Sequence, residues 1–154
     1  MEKIEPRVES AYLKKSLEEG AVLRLSLADG DRILAVLTKV GRYEVNLKSE
    51  EAEFTIPKKD ISYISYLEPH LPESFFAEAP EVDVQTSRSK VQDEFLARYV
   101  KEKTLALLRL VNGDQLRGVV EGFDGFTISI KAGRGQALVY KHGLHSIGPG
   151  YRRN

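Results

Sequence analysis

The residues with the most distinctive chemistry in this 154-residue chain form the run Tyr140-Lys141-His142 near its carboxyl end. Lysine supplies a compact positive charge, and histidine supplies a hydrogen-bonding ring near neutral pH. Phe126 precedes this run in a strand-like segment. A flat aromatic beside clustered donors is what single-stranded RNA requires, because bases stack on the ring. The alternative, which spacing alone favours, is that Phe126 belongs to a core and Lys141-His142 is a solvated turn.

No other combination of residues indicates catalysis or metal binding. His142 and His145 are three positions apart, and in an extended strand such side chains point to opposite faces, which disfavours a shared metal. The chain contains no cysteine, so thiolate ligands and disulfide bonds are excluded. No phosphate-binding loop, dinucleotide fingerprint or nucleophile elbow occurs. We therefore predict a non-enzyme with no metal, cofactor or small-molecule substrate.

The segment that carries these residues is the second of two similar segments. Residues 7–64 align without a gap onto residues 90–147, at an offset of 83, with matching leucine, glycine, aspartate and lysine positions. Such self-similarity indicates that one small unit is present twice. We predict a first domain at 1–67, a proline-containing acidic linker at 68–89 and a second domain at 90–154.

Charge is unevenly distributed, although the chain is neutral in total. Residues 1–67 carry 11 basic and 12 acidic groups, the linker carries 1 and 5, and residues 90–154 carry 11 and 6. A basic second domain suits an anionic partner, whereas charge that only maintains solubility is the alternative.

Phe75-Phe76 lies in the linker, where we expect it to anchor on a domain; binding a partner is the alternative. No apolar run approaches the ~20 residues of a membrane span and the start is polar, so we expect a cytoplasmic protein with no membrane partner.

Both segments begin with a helical pattern and continue as five short strands. Apolar residues recur at helical spacing from Val8 to Leu17 and from Val91 to Val100. Ser89 is a candidate N-cap, and Gly20 a candidate stop. The predicted strands are Ala21–Ala28, Arg32–Lys39, Tyr43–Lys48, Ala52–Pro57 and Ile61–Leu67, then Thr104–Val111, Gln115–Glu121, Gly125–Lys131, Gln136–Lys141 and Leu144–Gly148. This order predicts a mainly β fold, in which each unit is a helix plus a strongly bent five-stranded antiparallel sheet or small open barrel.

The order of motifs in the second segment resembles Hfq, the bacterial branch of the Sm and Sm-like family. The match runs from Val91–Leu96 through Leu110–Gly113 and Gly122–Phe126 to Val139–His142. The first segment joins the family only through the self-alignment, as a diverged copy. The resemblance implies that neighbouring units pair through their fourth and fifth strands into closed rings, usually of six units. Three tandem chains would close such a ring, and the alternative is two stacked rings, one of each unit.

The resemblance also implies a binding site for U-rich single-stranded RNA near the pore, on the face that bears the helices. It assigns base stacking to Phe126 and polar contacts to Lys141, His142 and the helix residue Gln92. The equivalent positions of the first segment hold Glu9, Arg42, Tyr43, Lys58 and Lys59. We expect this diverged set to bind RNA more weakly and mainly through the phosphate backbone, with Glu9 disfavouring phosphate.

The opposite face and the outer rim differ from the family pattern. Arg109 and Arg117 stand where a stacking aromatic and a glutamine are usual, and we expect them either to contact phosphate or to pair with nearby acids. Lys101 and Lys103 form a weaker version of the basic rim. The resemblance implies an RNA chaperone or post-transcriptional regulator that forms a homo-oligomeric ring. The alternative is a structural Sm-like oligomer that serves as a protein scaffold and has lost RNA binding.

Overall fold

The computed structural model describes residues 7–50, 52–66, 86–87 and 93–150, which form a mainly β fold as predicted. The helices are α1 (Arg7–Glu19) and α2 (Asp93–Glu102). The strands are β1 (Val22–Leu27), β2 (Arg32–Val40), β3 (Glu44–Lys48), β4 (Glu53–Pro57), β5 (Ile61–Tyr66), β6 (Thr86–Ser87), β7 (Leu105–Leu110), β8 (Gln115–Phe123), β9 (Thr127–Ala132), β10 (Gly135–Tyr140) and β11 (Leu144–Pro149). Neither helix in this described part is long and apolar enough to span a membrane.

The two halves of the described chain repeat the same order of elements. In the first half, α1 precedes β1–β5, and in the second half, α2 precedes β7–β11. The β1–β2 and β7–β8 hairpins close in the same way, with Gly30 N–H donating to Leu27 O and Gly113 N–H donating to Leu110 O. In both turns only the glycine has a positive φ, +95° and +99°. The Asp-Gly and Asn-Gly pairs at these turns therefore close the two hairpins with one left-handed residue each.

Both helices end where their residues can adopt a left-handed conformation. Gly20 follows α1 with φ +63°, which confirms the predicted stop, and Lys103 occupies the equivalent position after α2 with φ +54°. Glycine meets no Cβ penalty in this conformation, whereas lysine does. The candidate N-cap Ser89 lies outside the described residues.

The cores of the two halves interlock at their junction. Each half buries the alternate side chains of its first strand under its own helix, as with Leu23 and Leu25 in the first half. Tyr63 of the first half packs into the second core, while Leu138 and Tyr140 of the second half pack into the first core. This exchange of apolar side chains makes the junction part of the hydrophobic core.

All described strands belong to one antiparallel sheet, with the order β4-β3-β2-β1-β5-β10-β9-β8-β7-β11-β6. The halves join where β5 pairs with β10, through the residue pairs Tyr63↔Val139, Ile64↔Leu138 and Ser65↔Ala137. The fifth strand of one unit thus pairs with the fourth strand of the next within a single chain. β4 is the last strand at one end of the sheet. At the other end, β6 pairs with β11 through two residue pairs.

Candidate nucleic-acid interface

A cavity of about 920 Å³ lies at the junction, on the side of the sheet that carries α1. The first half supplies one wall from α1, including Leu13 and Leu17, and a second wall from the β2–β3 turn and the 3₁₀ turn Lys58–Asp60. The second half supplies Phe126, Tyr140 and His142. The cavity therefore exists only because β5 and β10 bring the two halves together.

Two exposed aromatic rings line this cavity, one from each half. Tyr43 is 70% exposed and Phe126 is 54% exposed, so Phe126 is not a core residue. Asp124 holds the turn before Phe126, because its Oδ1 accepts the backbone N–H groups of Phe126 at 2.8 Å and Thr127 at 2.7 Å. The guanidinium carbon of Arg42 lies 5.4 Å from the centre of the Tyr43 ring. Both rings can present a face to a planar ligand.

A buried ion pair forms part of the cavity wall. Lys58 Nζ lies 3.0 Å from Glu9 Oε2, and the hydroxyl of Tyr140 donates to the same oxygen at 2.7 Å. Burial, followed by the negative charges of Glu9 and Asp124, raises the pKa of Tyr140, so its hydroxyl remains a donor at neutral pH. The backbone N–H of Glu9 donates to Asp124 Oδ2 at 2.9 Å, which satisfies one free donor of the first turn of α1. Residues of both halves thus fix the start of α1.

The turn Lys141–Gly143 is held from both sides of the junction. His142 Nε2 lies 2.9 Å from the carbonyl oxygen of Ile61 in the first half. Because a carbonyl only accepts, this nitrogen carries the proton, which assigns the tautomer. The His142 ring stacks on Tyr140 with centroids 5.2 Å apart. Lys141 donates its backbone N–H to Phe126 O at 2.8 Å, and its ammonium lies 5.3 Å from the centre of the Phe123 ring.

The structure merges two sets of residues that the sequence pattern assigned to separate sites. Phe126 and His142 of the second half line the same cavity as the first-half residues Arg42, Tyr43, Lys58 and Lys59. Lys141 is not among its lining residues. Lys101 and Lys103 are exposed at the end of α2. Gln92 and the linker pair Phe75-Phe76 lie outside the described residues.

Sequence reasoning missed the contribution of α1 to the cavity and the role of Glu9. Glu9 was expected to repel phosphate, but its charge is balanced by Lys58, and its side chain is buried. Leu13 and Leu17 form an apolar wall that the residue pattern assigned only to helix packing. The expected pairing of the fifth strand of one unit with the fourth strand of the next could have predicted this contribution. That pairing places α1 of the first half beside the turn of the second half that carries His142.

The opposite face of the sheet carries two arginines, Arg109 and Arg117, for which no ion pair is found in the described part of the chain. Ala106, Leu108 and Leu110 point into the core, so Arg109 points to the other face. Among the described residues, Arg109 Nη2 and Arg117 Nε are buried and have no hydrogen-bond partner. The nearby acid Asp114 pairs instead with Arg32 of the first half, at 2.9 Å.

No group of three histidine, aspartate or glutamate residues in the described part is placed to hold a metal ion.

Comparison with known proteins finds similarity in the second half. The family described as Hfq protein matches residues 91–153. A protein of Anoxybacillus flavithermus named RNA-binding protein Hfq is 44% identical over 59 residues, which cover 38% of this chain and 80% of that relative. A protein of Bacillus licheniformis with the same name is 46% identical over 59 residues, covering 38% and 81%. The matched region includes the turn that carries Phe126 and the run Tyr140-Lys141-His142.

Proposed function

Because the chain belongs to the Hfq family of Sm-like proteins, we propose that it binds single-stranded, uridine-rich RNA in the cavity between its two halves. The observation that carries this proposal is that one exposed aromatic ring from each half, Tyr43 and Phe126, lines the same cavity. The relatives that the chain matches are named RNA-binding protein Hfq. A base enters between apolar walls and stacks on a ring, an interaction worth roughly 1–3 kcal/mol per base.

The charges around the cavity suit the phosphate backbone. Arg42 and Lys59 are exposed at its edge, whereas the ammonium of Lys58 is engaged by Glu9. The ion pair removes the repulsion that an isolated Glu9 would exert on phosphate. We therefore assign backbone attraction mainly to Arg42 and Lys59, and polar contact with the base or ribose to His142.

We also infer that residues 1–67 and 90–154 are two copies of one Sm unit, and that three chains close a six-unit ring. The repeated order of elements and the β5–β10 pairing support this inference. In such a ring the cavity recurs around a central opening, so that one RNA strand can contact several cavities. Assembly of this kind fits a role as RNA chaperone or post-transcriptional regulator.

Binding of a labelled U6 oligonucleotide, followed by fluorescence anisotropy, tests the proposed site. Phe126→Ala and Tyr43→Ala should each weaken binding roughly tenfold, because each removes a stacking surface. Leu34→Ala is the matched control, since Leu34 is also exposed and apolar but does not line the cavity. It should leave affinity unchanged.

The result that would contradict the proposal is no U6 binding by the wild-type chain at low salt. That outcome would favour a protein scaffold. Equal affinities of the wild-type chain and both aromatic variants would instead remove this cavity from RNA binding.

Salt dependence separates the engaged lysine from the exposed cations. For single strands, each phosphate that a cation neutralises contributes about 0.7 to the slope of log affinity against log salt. Lys59→Ala should therefore make the slope shallower by about 0.7. Lys58→Ala should change it less, because Glu9 already neutralises Lys58.

A further inference from the structure

The cavity between the halves has an aliphatic wall that stacking of RNA bases does not use. Leu13 and Leu17 of α1 lie one helical turn apart on it, and Val40 of β2 and Pro57 of β4 complete the wall. Leu13 is buried, whereas Leu17 remains 37% exposed. RNA bases stack on flat aromatic rings, and the ribose and phosphate groups are polar. An exposed aliphatic surface at a cavity instead indicates a ligand with an apolar body.

The size of the cavity suits a small molecule. Its volume of about 920 Å³ lies within the roughly 300–1,000 Å³ that is typical of pockets for small organic ligands. Val40 packs against the core cluster that contains Leu13, so the core itself forms this side of the cavity. A ligand that enters replaces water on the aliphatic wall and on the rings of Tyr43 and Phe126.

Exposed cations line the same cavity. Lys14 is exposed on α1, and Arg42 and Lys59 are exposed on the turns that form the second wall. Glu9 is the single acid among the described residues that line the cavity, and Lys58 already engages it at 3.0 Å. The uncompensated charge at the cavity is therefore positive, which complements an anionic head group.

Lys14 joins this positive charge to the aliphatic wall. It lies three positions before Leu17 in α1, so the two side chains are neighbours on the helix surface. No ion pair of Lys14 is found in the part of the chain that the structure describes. The equivalent positions of α2 hold Ala97 and Val100, which supply no cation. Only the helix of the first half therefore offers a charge beside an exposed leucine at these positions.

We propose that this cavity binds a small amphipathic anion, a carboxylate with an aliphatic chain, as a ligand that competes with RNA. The chain lies along Leu13 and Leu17, and the carboxylate pairs with Lys14. A chain in the cavity also covers Tyr43 and Phe126, so a base cannot stack there at the same time. The competition rests on the RNA binding proposed above, whereas binding of the anion does not.

Decanoate is the probe for this site, and isothermal titration calorimetry measures its affinity. Octanoate should bind about fifteenfold more weakly and dodecanoate about fifteenfold more tightly, because burial of each methylene is worth roughly a factor of four. Decanol has the same chain without the charge and should bind more weakly than decanoate by about tenfold. An affinity that does not depend on chain length, or equal affinities for decanol and decanoate, would overturn the proposal.

Substitutions on α1 locate the ligand. Leu17→Gln should weaken decanoate binding roughly tenfold, because it removes apolar contact, and should weaken U6 binding by a smaller factor, because the aromatic rings remain. Lys14→Gln should remove most of the preference for decanoate over decanol. Leu34→Gln is the matched control, since Leu34 is also exposed but does not line the cavity, and it should leave decanoate affinity unchanged. Equal decanoate affinities of Leu17→Gln and the wild-type chain would overturn the proposed position.

Competition with RNA is measured by the fluorescence anisotropy of labelled U6. Decanoate should displace U6 from the wild-type chain, with half-displacement near the dissociation constant from calorimetry when U6 is dilute. Decanoate that binds without displacing U6 would overturn the competition. A chain that binds decanoate but no U6 would contradict the RNA proposal alone, whereas a chain that binds U6 but no decanoate would overturn the present inference alone.

Discussion

The two halves share one arrangement of backbone elements, but they carry different side chains where they meet. The second half offers Tyr140 and Asp124 to the start of α1, and both contact Glu9. The equivalent positions of the first half hold Pro57 and Gly41, which cannot make these contacts. Equivalent backbones therefore do not produce equivalent surfaces. The contact within the chain therefore depends on side chains that only the second half supplies.

Removing one member of the buried ion pair should have the largest effect on stability. Lys58→Met leaves Glu9 buried with only the Tyr140 hydroxyl as a described side-chain partner. We expect the free energy of unfolding to fall by about 3 kcal/mol, because an uncompensated buried charge is costly. Chemical denaturation followed by circular dichroism measures the change.

Two variants sharpen this prediction. Glu9→Gln/Lys58→Met removes both charges and should recover most of the stability. Arg32→Gln breaks the ion pair with Asp114, in which the arginine side chain is 53% exposed, and should cost at most about 1 kcal/mol. A double variant as unstable as Lys58→Met would show that the missing charge is not the cause.

Alkaline pH should lower the free energy of unfolding through three buried tyrosines, Tyr12, Tyr63 and Tyr140. Burial is the main cause that raises the pKa values of Tyr12, Tyr63 and Tyr140 above their ordinary value of 10. Their protonated state therefore contributes stability that is fully present below pH 10 and is lost as the pH rises further, because the unfolded chain ionises first. Each such tyrosine lowers the free energy of unfolding by about 1.4 kcal/mol per pH unit above pH 10.

Tyr140→Phe isolates one of these contributions. Denaturation curves between pH 9 and pH 11 should show a pH slope that is shallower by about 1.4 kcal/mol per unit than in the wild-type chain. An unchanged slope would mean that Tyr140 does not retain its proton when folded.

The helix ends provide the smallest predicted difference between the halves. Lys103→Gly should raise the free energy of unfolding by about 0.5–1 kcal/mol, because glycine adopts φ near +54° without a Cβ penalty. Gly20→Ala should lower it by a similar amount; no atom lies within 4 Å of the added Cβ, so only the backbone conformation acts. Thermal denaturation of the two variants measures both changes in the free energy of unfolding, which must have opposite signs.

Much of the fold follows from local pattern. The strand from Val22 to Leu27 was predicted within one residue at each end, because alternating leucines must face one core. The stop at Gly20 followed from its freedom to adopt a positive φ. Tyr63 could not be assigned from its own half, because it packs into the core of the other. Local pattern describes a side chain's own unit and says nothing about exchange between units.

The candidate site, like the fold, was predicted only in part from the sequence. The residue types in the chain established which side chains can stack or carry charge, Phe126, Tyr43 and His142 among them. The self-alignment compared equivalent positions and so kept the two sets apart. It is the pairing of β5 with β10 that places non-equivalent residues, Glu9 and Tyr140, in contact across 131 positions of sequence. A hydrogen bond over such a separation has no local sequence pattern. It forms because hydrophobic burial holds the two halves of the sheet together.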